Sequence, residues 1–143
     1  MKEKTNNLEG KTIIITGGAG LIGSAFCKAC AESGAKVVIV DTNPKAGKNL
    51  ASRLIRDTKN KNILFQQCDI TKPASVKRAV QNILKKFKRI DALVNSAYPW
   101  NKNYGRKFED VTYNDFCENI NMHLGGYFLM AQETAKVMKK QKS

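Results

Sequence analysis

A β-branched run, Thr12–Thr16 (TIIIT), passes without a break into Gly17-Gly18-Ala19-Gly20-Leu21-Ile22-Gly23. No other feature restricts the fold as much. The run reads as a buried strand. Leu21, Ile22, Ala25, Phe26, Ala29 and Cys30 then recur at helical spacing, and Gly34 supplies a stop, so a helix is predicted over Leu21–Ser33. Gly18, Gly20 and Gly23 form a G-x-G-x-x-G; Gly17, Gly20 and Gly23 also form a G-x-x-G-x-x-G. Alone such a pattern is weak, but between a strand and a helix it is specific. Side chains on the crowded glycines would block the turn and keep a pyrophosphate from the backbone. The free amides at the helix start, with the helix dipole, then stabilise the anion. The competing reading is a glycine-rich turn that binds nothing.

The rest of the chain repeats the alternation. Lys36–Asp41 (KVVIVD) is the second strand. Asn43-Pro44 reads as a cap and first-turn proline, opening a polar helix to about Lys59. A third strand is predicted over Asn62–Cys68, a third helix over Pro73–Phe87 and a fourth strand over Ile90–Asn95. A long loop follows, Ser96–Val111, rich in Tyr, Trp, Pro, Asn and Gly, a composition and length that point to function or mobility. Thr112-Tyr113-Asn114-Asp115 resembles a capping box. It starts one long helix to about Lys140, with Phe116, Ile120, His123, Leu124, Tyr127, Ala131, Ala135 and Met138 along one stripe. Gly125-Gly126 inside that helix would let it approach a neighbouring backbone. Strand and helix in alternation predict an α/β, Rossmann-like, doubly wound parallel sheet of order 3-2-1-4. Its ligand crevice would open between the first and fourth strands.

With 143 residues the chain makes one domain at most. Its composition, 42% apolar and 26% charged, is that of a globular domain. No apolar run approaches a membrane span, and the polar Met1–Gly10 does not read as a signal peptide. A cytoplasmic protein is expected. The net charge of +13 invites a nucleic-acid reading. Its distribution argues otherwise: Lys72, Lys77, Arg78, Lys85, Lys86, Lys88 and Arg89 alternate with Val76, Ala79, Val80, Ile83, Leu84 and Phe87 at helical spacing. That is a solvated helix face opposite a buried one, without aromatic residues interleaved to stack on bases. Cys27-Lys28-Ala29-Cys30 is a C-x-x-C, but it falls within a helix rather than at its start, where a thiol pKa would be lowered. No second pair completes a zinc site, so no metal is expected; Cys27 and Cys30 read as buried or half-buried thiols. Cys68 and Cys117 complete the set, all four reduced in a cytoplasm.

Asp41 closes the second strand, where a carboxylate can accept both hydroxyls of an adenosine ribose and would repel a 2′-phosphate. NAD is therefore favoured over NADP, with Lys45 and Lys48 nearby. Asp41 could instead only cap the next turn. Asp69, after the third strand, and Asn95-Ser96-Ala97, ending the fourth, fall on the same sheet edge.

Together TGGAGLIG, Asp41, CDIT at 68–71, DALVNSA at 91–97 and HLGGYFL at 123–129 resemble the short-chain dehydrogenase/reductase family, over about Leu8 to Lys140. The resemblance implies hydride transfer between a nicotinamide and an alcohol or ketone, a sugar or sugar nucleotide among them. It places Gly17, Gly20, Leu21 and Ile22 on the pyrophosphate, with Gly18 and Gly23 in the same loop. It puts Asp41 on the ribose, Asp69 and Ile70 on the adenine, and Asn95, Ser96 and Ala97 beside the nicotinamide ribose. The loop and long helix are also similar to a bacterial subgroup linked to flagellin modification and nonulosonic-acid pathways. The glycine spacing departs from the commoner family loop and matches the extended branch. Where the family has Asn in the long helix, three residues before Gly126 and five before Phe128, this chain has His123. A His there could hold a proton-relay water; the plainer reading is structural.

Family chemistry needs a Ser and a Tyr-x-x-x-Lys on a helix after a fifth strand. Here the one such spacing, Tyr98 to Lys102, lies in the loop beside Pro99 and reads as coincidence. Tyr98, Trp100 and Tyr104 are expected to line a substrate entrance. Residues 1–143 thus read as an incomplete, NAD-binding domain, truncated after the fourth strand and the long helix and inactive alone. The rival is a non-catalytic NAD-binding or partner-binding module. An open strand edge and an apolar stripe would follow, and with them self-association as a homo-oligomer or marginal stability.

Overall fold

Thr12–Thr16 forms a strand, β1, because three consecutive isoleucines can be covered on both sides. In a strand alternate side chains face opposite ways. Ile13 and Ile15 join one buried cluster and Ile14 the other. The computed structural model describes residues 8–142, so Met1–Asn7 of the polar N-terminal segment lie outside the described residues. Around β1 the chain lays down α1 (Leu21–Glu32), β2 (Lys36–Asp41), α2 (Pro44–Thr58), β3 (Ile63–Gln67), α3 (Pro73–Phe87) and β4 (Ala92–Asn95). A short 3-10 turn at Phe108–Asp110, α4 (Tyr113–Ile120), a π-helical turn at Asn121–Gly125 and α5 (Gly126–Gln141) complete the described residues.

The sheet is parallel, in the order β3-β2-β1-β4. This is the 3-2-1-4 Rossmann-like arrangement that the alternation predicts. One face carries α1 and α2, with Cys27, Ala31, Leu50 and Leu54 against Ile13, Ile15, Val37 and Ile39. The other carries α3 and α5, with Val76, Ala79, Val80, Ile83, Phe87 and Met130 against Ile14, Val38 and Val40. Each fully covered Ile or Val contributes roughly 1.5–3 kcal/mol of transfer free energy. Facing outward, α3 presents Lys77, Arg78, Lys85 and Lys86 to solvent, as its periodicity requires.

Caps set the helix starts. Asn43 Oδ1 accepts the Ala46 amide at 3.0 Å, with Pro44 in the first turn of α2. Thr112 Oγ1 accepts the Asp115 amide at 3.1 Å, capping α4, and donates to Asp115 Oδ2 at 2.8 Å; the return bond of a capping box, to the Thr112 amide, is replaced by this bond to its hydroxyl.

Three expectations need correction. The third strand ends at Gln67 and does not include Asn62 or Cys68. The fourth begins at Ala92, not Ile90, because the Ile90 backbone exchanges hydrogen bonds with the Gln141 side chain instead of β1. The long helix is broken by the π turn, and of its apolar stripe Tyr127 and Met138 pack against the core. Gly126, Met130 and Thr134 are buried, whereas Phe116, Ile120, Leu124, Ala131 and Ala135 are exposed. Gly126 is inward because Ile70 leaves no room there: a Cβ would lie 2.7 Å from the Ile70 Cδ1. The close approach of this glycine is to a side chain more than to backbone. Among the described residues, no helix is long and apolar enough to cross a membrane.

Candidate functional site

The carboxyl ends of all four strands open on one cleft of about 700 Å³. It lies where open α/β sheets bind ligands, at the point where chain order reverses on either side of β1. Its floor is the glycine turn. Gly17 sits at φ +62, a left-handed conformation that side chains disfavour, and a Cβ there would lie 2.7 Å from Ala97 Cα. At Gly23 the obstacle is the turn itself, since a Cβ would lie 2.1 Å from the Gly17 carbonyl oxygen. These two contacts let α1 begin directly under the turn. Gly20 caps it without a side-chain hydrogen bond, and its first turn carries no acidic residue. The first amides of a helix have no intrahelical acceptor. Here they belong to Leu21, Ile22 and Gly23, which line the cleft.

Asp41 holds the opposite wall. One carboxylate oxygen accepts the Ala19 amide at 3.0 Å and the other the Asn43 amide at 3.0 Å. It is therefore both a turn-fixing residue and part of the cleft lining. Each oxygen keeps a further lone pair. Asp69 and Ile70 form the next part of the rim. Asp69 Oδ1 accepts the Thr71 amide at 3.0 Å and hydroxyl at 2.7 Å, and Lys72 Nζ lies 3.4 Å from Oδ2. Desolvation works against ionisation, but the Thr71 bonds and Lys72 outweigh it and hold the Asp69 carboxyl below its ordinary value.

Ser96 and Ala97 form the far end, and a residue the motif reading passed over positions them. Thr16 Oγ1, fully buried at the end of β1, accepts the amides of Ser96 at 3.0 Å and Ala97 at 3.2 Å. Tyr127 on α5 donates its hydroxyl to the Ala97 carbonyl at 2.6 Å. A hydroxyl residue at a strand end inside an otherwise aliphatic run was the available signal for Thr16.

Two expected site residues stand outside the lining. Gly18 is buried behind the turn, donating its amide to the Val40 carbonyl at 3.1 Å. Asn95 points toward α5, with Nδ2 3.4 Å from the Tyr127 carbonyl and Oδ1 buried without a partner. His123, in the π turn, borders a second cavity of about 410 Å³. Its ring packs against Tyr98 at 3.8 Å between centroids with the planes tilted by 40°, and its Nε2 is buried without a partner. Of the expected entrance residues, Tyr98 and Trp100 line the large cleft and Tyr104 the second cavity. Tyr98 and Lys102 share no helix.

The thiols stay apart from this chemistry, except that Cys68 borders the cleft. Burial pushes the Cys27 thiol up to about 12, and it donates weakly to the Gly18 carbonyl at 3.7 Å. A thiol so placed is inert packing beneath the turn.

Comparison with known proteins agrees with this geometry. The family model described as short chain dehydrogenase matches residues 11–143. Post-translational flagellin modification protein A of Campylobacter coli is 36% identical over 135 residues, covering 94% of this chain and 52% of that protein. D-threitol dehydrogenase of Mycolicibacterium smegmatis is 35% identical over 133 residues, 92% of this chain and 48% of that one. Among solved structures, 3-ketoacyl-(acyl-carrier-protein) reductase from Brucella melitensis complexed with NADH superposes with a TM-score of 0.81 at 32% identity, covering 93% of this chain and 52% of that one. The chain spans about half the length of these relatives.

Proposed function

The chain belongs to the short-chain dehydrogenase family, whose members bind NAD or NADP, and from that premise we propose that its cleft holds NAD for hydride exchange between a nicotinamide and an alcohol or ketone. The observation that carries this reading is the pair of glycine contacts: Gly17 and Gly23 leave no room for a Cβ, so the start of α1 stands open to the cleft. The amides of Leu21 and Ile22 would take the pyrophosphate, helped by the helix dipole. The free lone pairs of Asp41 would accept the adenosine ribose hydroxyls, and its charge would repel a 2′-phosphate, which favours NAD over NADP. Asp69 and Ile70 border the adenine side, and the backbone of Ser96 and Ala97, fixed by Thr16 and Tyr127, borders the nicotinamide side. Bound NAD supplies the hydride acceptor.

A sugar or sugar-nucleotide substrate belongs to this reading as one of the alcohols or ketones the cleft would serve. A cytoplasmic location belongs to it too, supported by four cysteines that are free thiols. Titrating NADH into the protein and following nicotinamide fluorescence tests the cofactor assignment. A saturable enhancement is expected, and a flat titration overturns it.

A further inference from the structure

The loop between β4 and α4 brings three rings together at the mouth of the cleft. Tyr98 and Tyr104 lie 5.7 Å apart between centroids, Trp100 and Tyr104 5.9 Å, and Tyr98 and Trp100 6.5 Å. They remain 50% (Tyr98), 59% (Trp100) and 53% (Tyr104) exposed. Side chains of this size bury a large apolar area when they can. A half-bare cluster of them beside a cleft marks a binding surface.

Two asparagines of the same loop are turned elsewhere. Asn101 is buried and donates to Asp115 at 3.0 Å and Glu118 at 2.8 Å. Asn103 donates to Asp115 at 2.7 Å, and the Asn101 amide to Asn119 Oδ1 at 3.1 Å. Bonds from Asn103 and Thr112, outweighing desolvation, keep the Asp115 carboxyl below its ordinary value and so ionised. The loop is pinned to α4 at these points, and beyond Ser96 and Ala97 what it turns to the cleft is Tyr98, Pro99 and Trp100. From below, the His123 ring supports Tyr98.

We propose that Tyr98, Trp100 and Tyr104 form a stacking platform for the reacting molecule, and that this molecule is a cyclic alcohol or ketone presenting the C–H face of a saturated six-membered ring. That this molecule reacts rests on the cofactor reading of the adjoining cleft; the platform itself does not. Slightly positive C–H groups meet the negative faces of the rings, and a rigid ring covers them without losing torsional freedom. An open-chain alcohol of the same size has no such flat face. A carbocycle and a pyranose share the required surface.

Trp100 is the one tryptophan of the chain, so its emission reports on the platform directly. The full chain is titrated with cyclohexanol, a methyl pyranoside and 2-hexanol, each after an NADH titration read through nicotinamide fluorescence. A saturable Trp100 response to cyclohexanol assigns a carbocycle and one to the pyranoside assigns a sugar; either supports the platform. Tyr104→Leu should weaken that binding roughly fivefold and Tyr104→Phe should restore it, with the NADH curve unchanged in both. No response to either ring overturns the proposal. So does an equal response to 2-hexanol, or full binding by Tyr104→Leu. A flat NADH curve defeats the cofactor reading alone.

Discussion

The carboxylate of Asp41 accepts the backbone amide of Ala19 at 3.0 Å, which ties the end of β2 to the glycine turn that follows β1. The residue proposed to recognise the ribose is thus also the residue that fixes the pyrophosphate turn. Asp41→Ala should weaken NAD binding by about tenfold or more, the scale of a lost charge-assisted hydrogen bond. NADP should lose less, because the same change removes a repulsion from its 2′-phosphate. Paired titrations with NADH and NADPH check this, and equal losses would remove the ribose argument.

At Gly23 two effects oppose each other. Alanine is worth about 1 kcal/mol over glycine inside a helix. A Cβ at Gly23, however, would lie 2.1 Å from the Gly17 carbonyl oxygen, a backbone atom that cannot swing aside. The clash should win. Gly23→Ala is expected to lower stability by roughly 1–3 kcal/mol, the usual scale of overpacking, and to abolish NADH binding. Urea unfolding beside the NADH titration measures both, and an unchanged or raised midpoint would contradict the packing account.

Thr16 offers a separate handle on the far end of the cleft. Thr16→Val keeps the shape but leaves the Ser96 and Ala97 amides without the acceptor they share at 3.0 and 3.2 Å. A loss of about 1–3 kcal/mol is expected for buried donors left unpaired. Tyr127→Phe removes a single bond, to the Ala97 carbonyl, and should cost about 1 kcal/mol. Because both act on one segment, the double variant should depart from additivity. Thermal or urea unfolding of the four proteins is the measurement.

These residues mark how far the sequence could be read. The strand order was legible because strand and helix alternate and each strand is apolar on both faces. The glycine turn was legible because its spacing sits between a strand and a helix. The break in the long helix and the residues it buries were not legible. Helix α5 turns Gly126 and Thr134 to the core. Only a small residue fits beside Ile70, and Thr134 satisfies its buried hydroxyl on the Met130 carbonyl at 2.8 Å. Neither signal registers in a hydrophobic pattern, and the π turn at Asn121–Gly125 shifts the phase between α4 and α5. Asn95 was placed by its position at a strand end, which does not say to which face its side chain turns.

Asp91 is expected to contribute to the acid limb of stability. Its carboxylate accepts the Thr12 amide at 2.8 Å and pairs with Arg89, joining the starts of β1 and β4. The Arg89 bonds, against desolvation and with help from the Thr12 amide and Lys11, hold its carboxyl below the ordinary value. A carboxyl depressed in the folded state stabilises fully above its unfolded pKa, near 4. That contribution fades as pH falls through the lower folded value. Asp91→Asn should therefore cost stability at pH 7, and the gap from the parent should narrow below about pH 4. Urea midpoints across that range decide it; a gap independent of pH would show that the charge of Asp91 is not what matters.

Phe116, Ile120, Leu124 and Phe128 stand exposed along α4, the π turn and α5, and β4 has a single partner strand among the described residues. We expect these faces to bring copies of the 143-residue chain together. The net charge of +13 opposes that contact. Salt should therefore strengthen self-association by screening the repulsion, the reverse of its effect on nucleic-acid binding. Leu124→Lys adds a charge to the stripe and should shift the population toward monomer. Sedimentation velocity at low and high salt tests both statements. A well-folded monomer at all protein concentrations would remove the apolar faces as an interface, and association that weakened with salt would point to charge pairing instead.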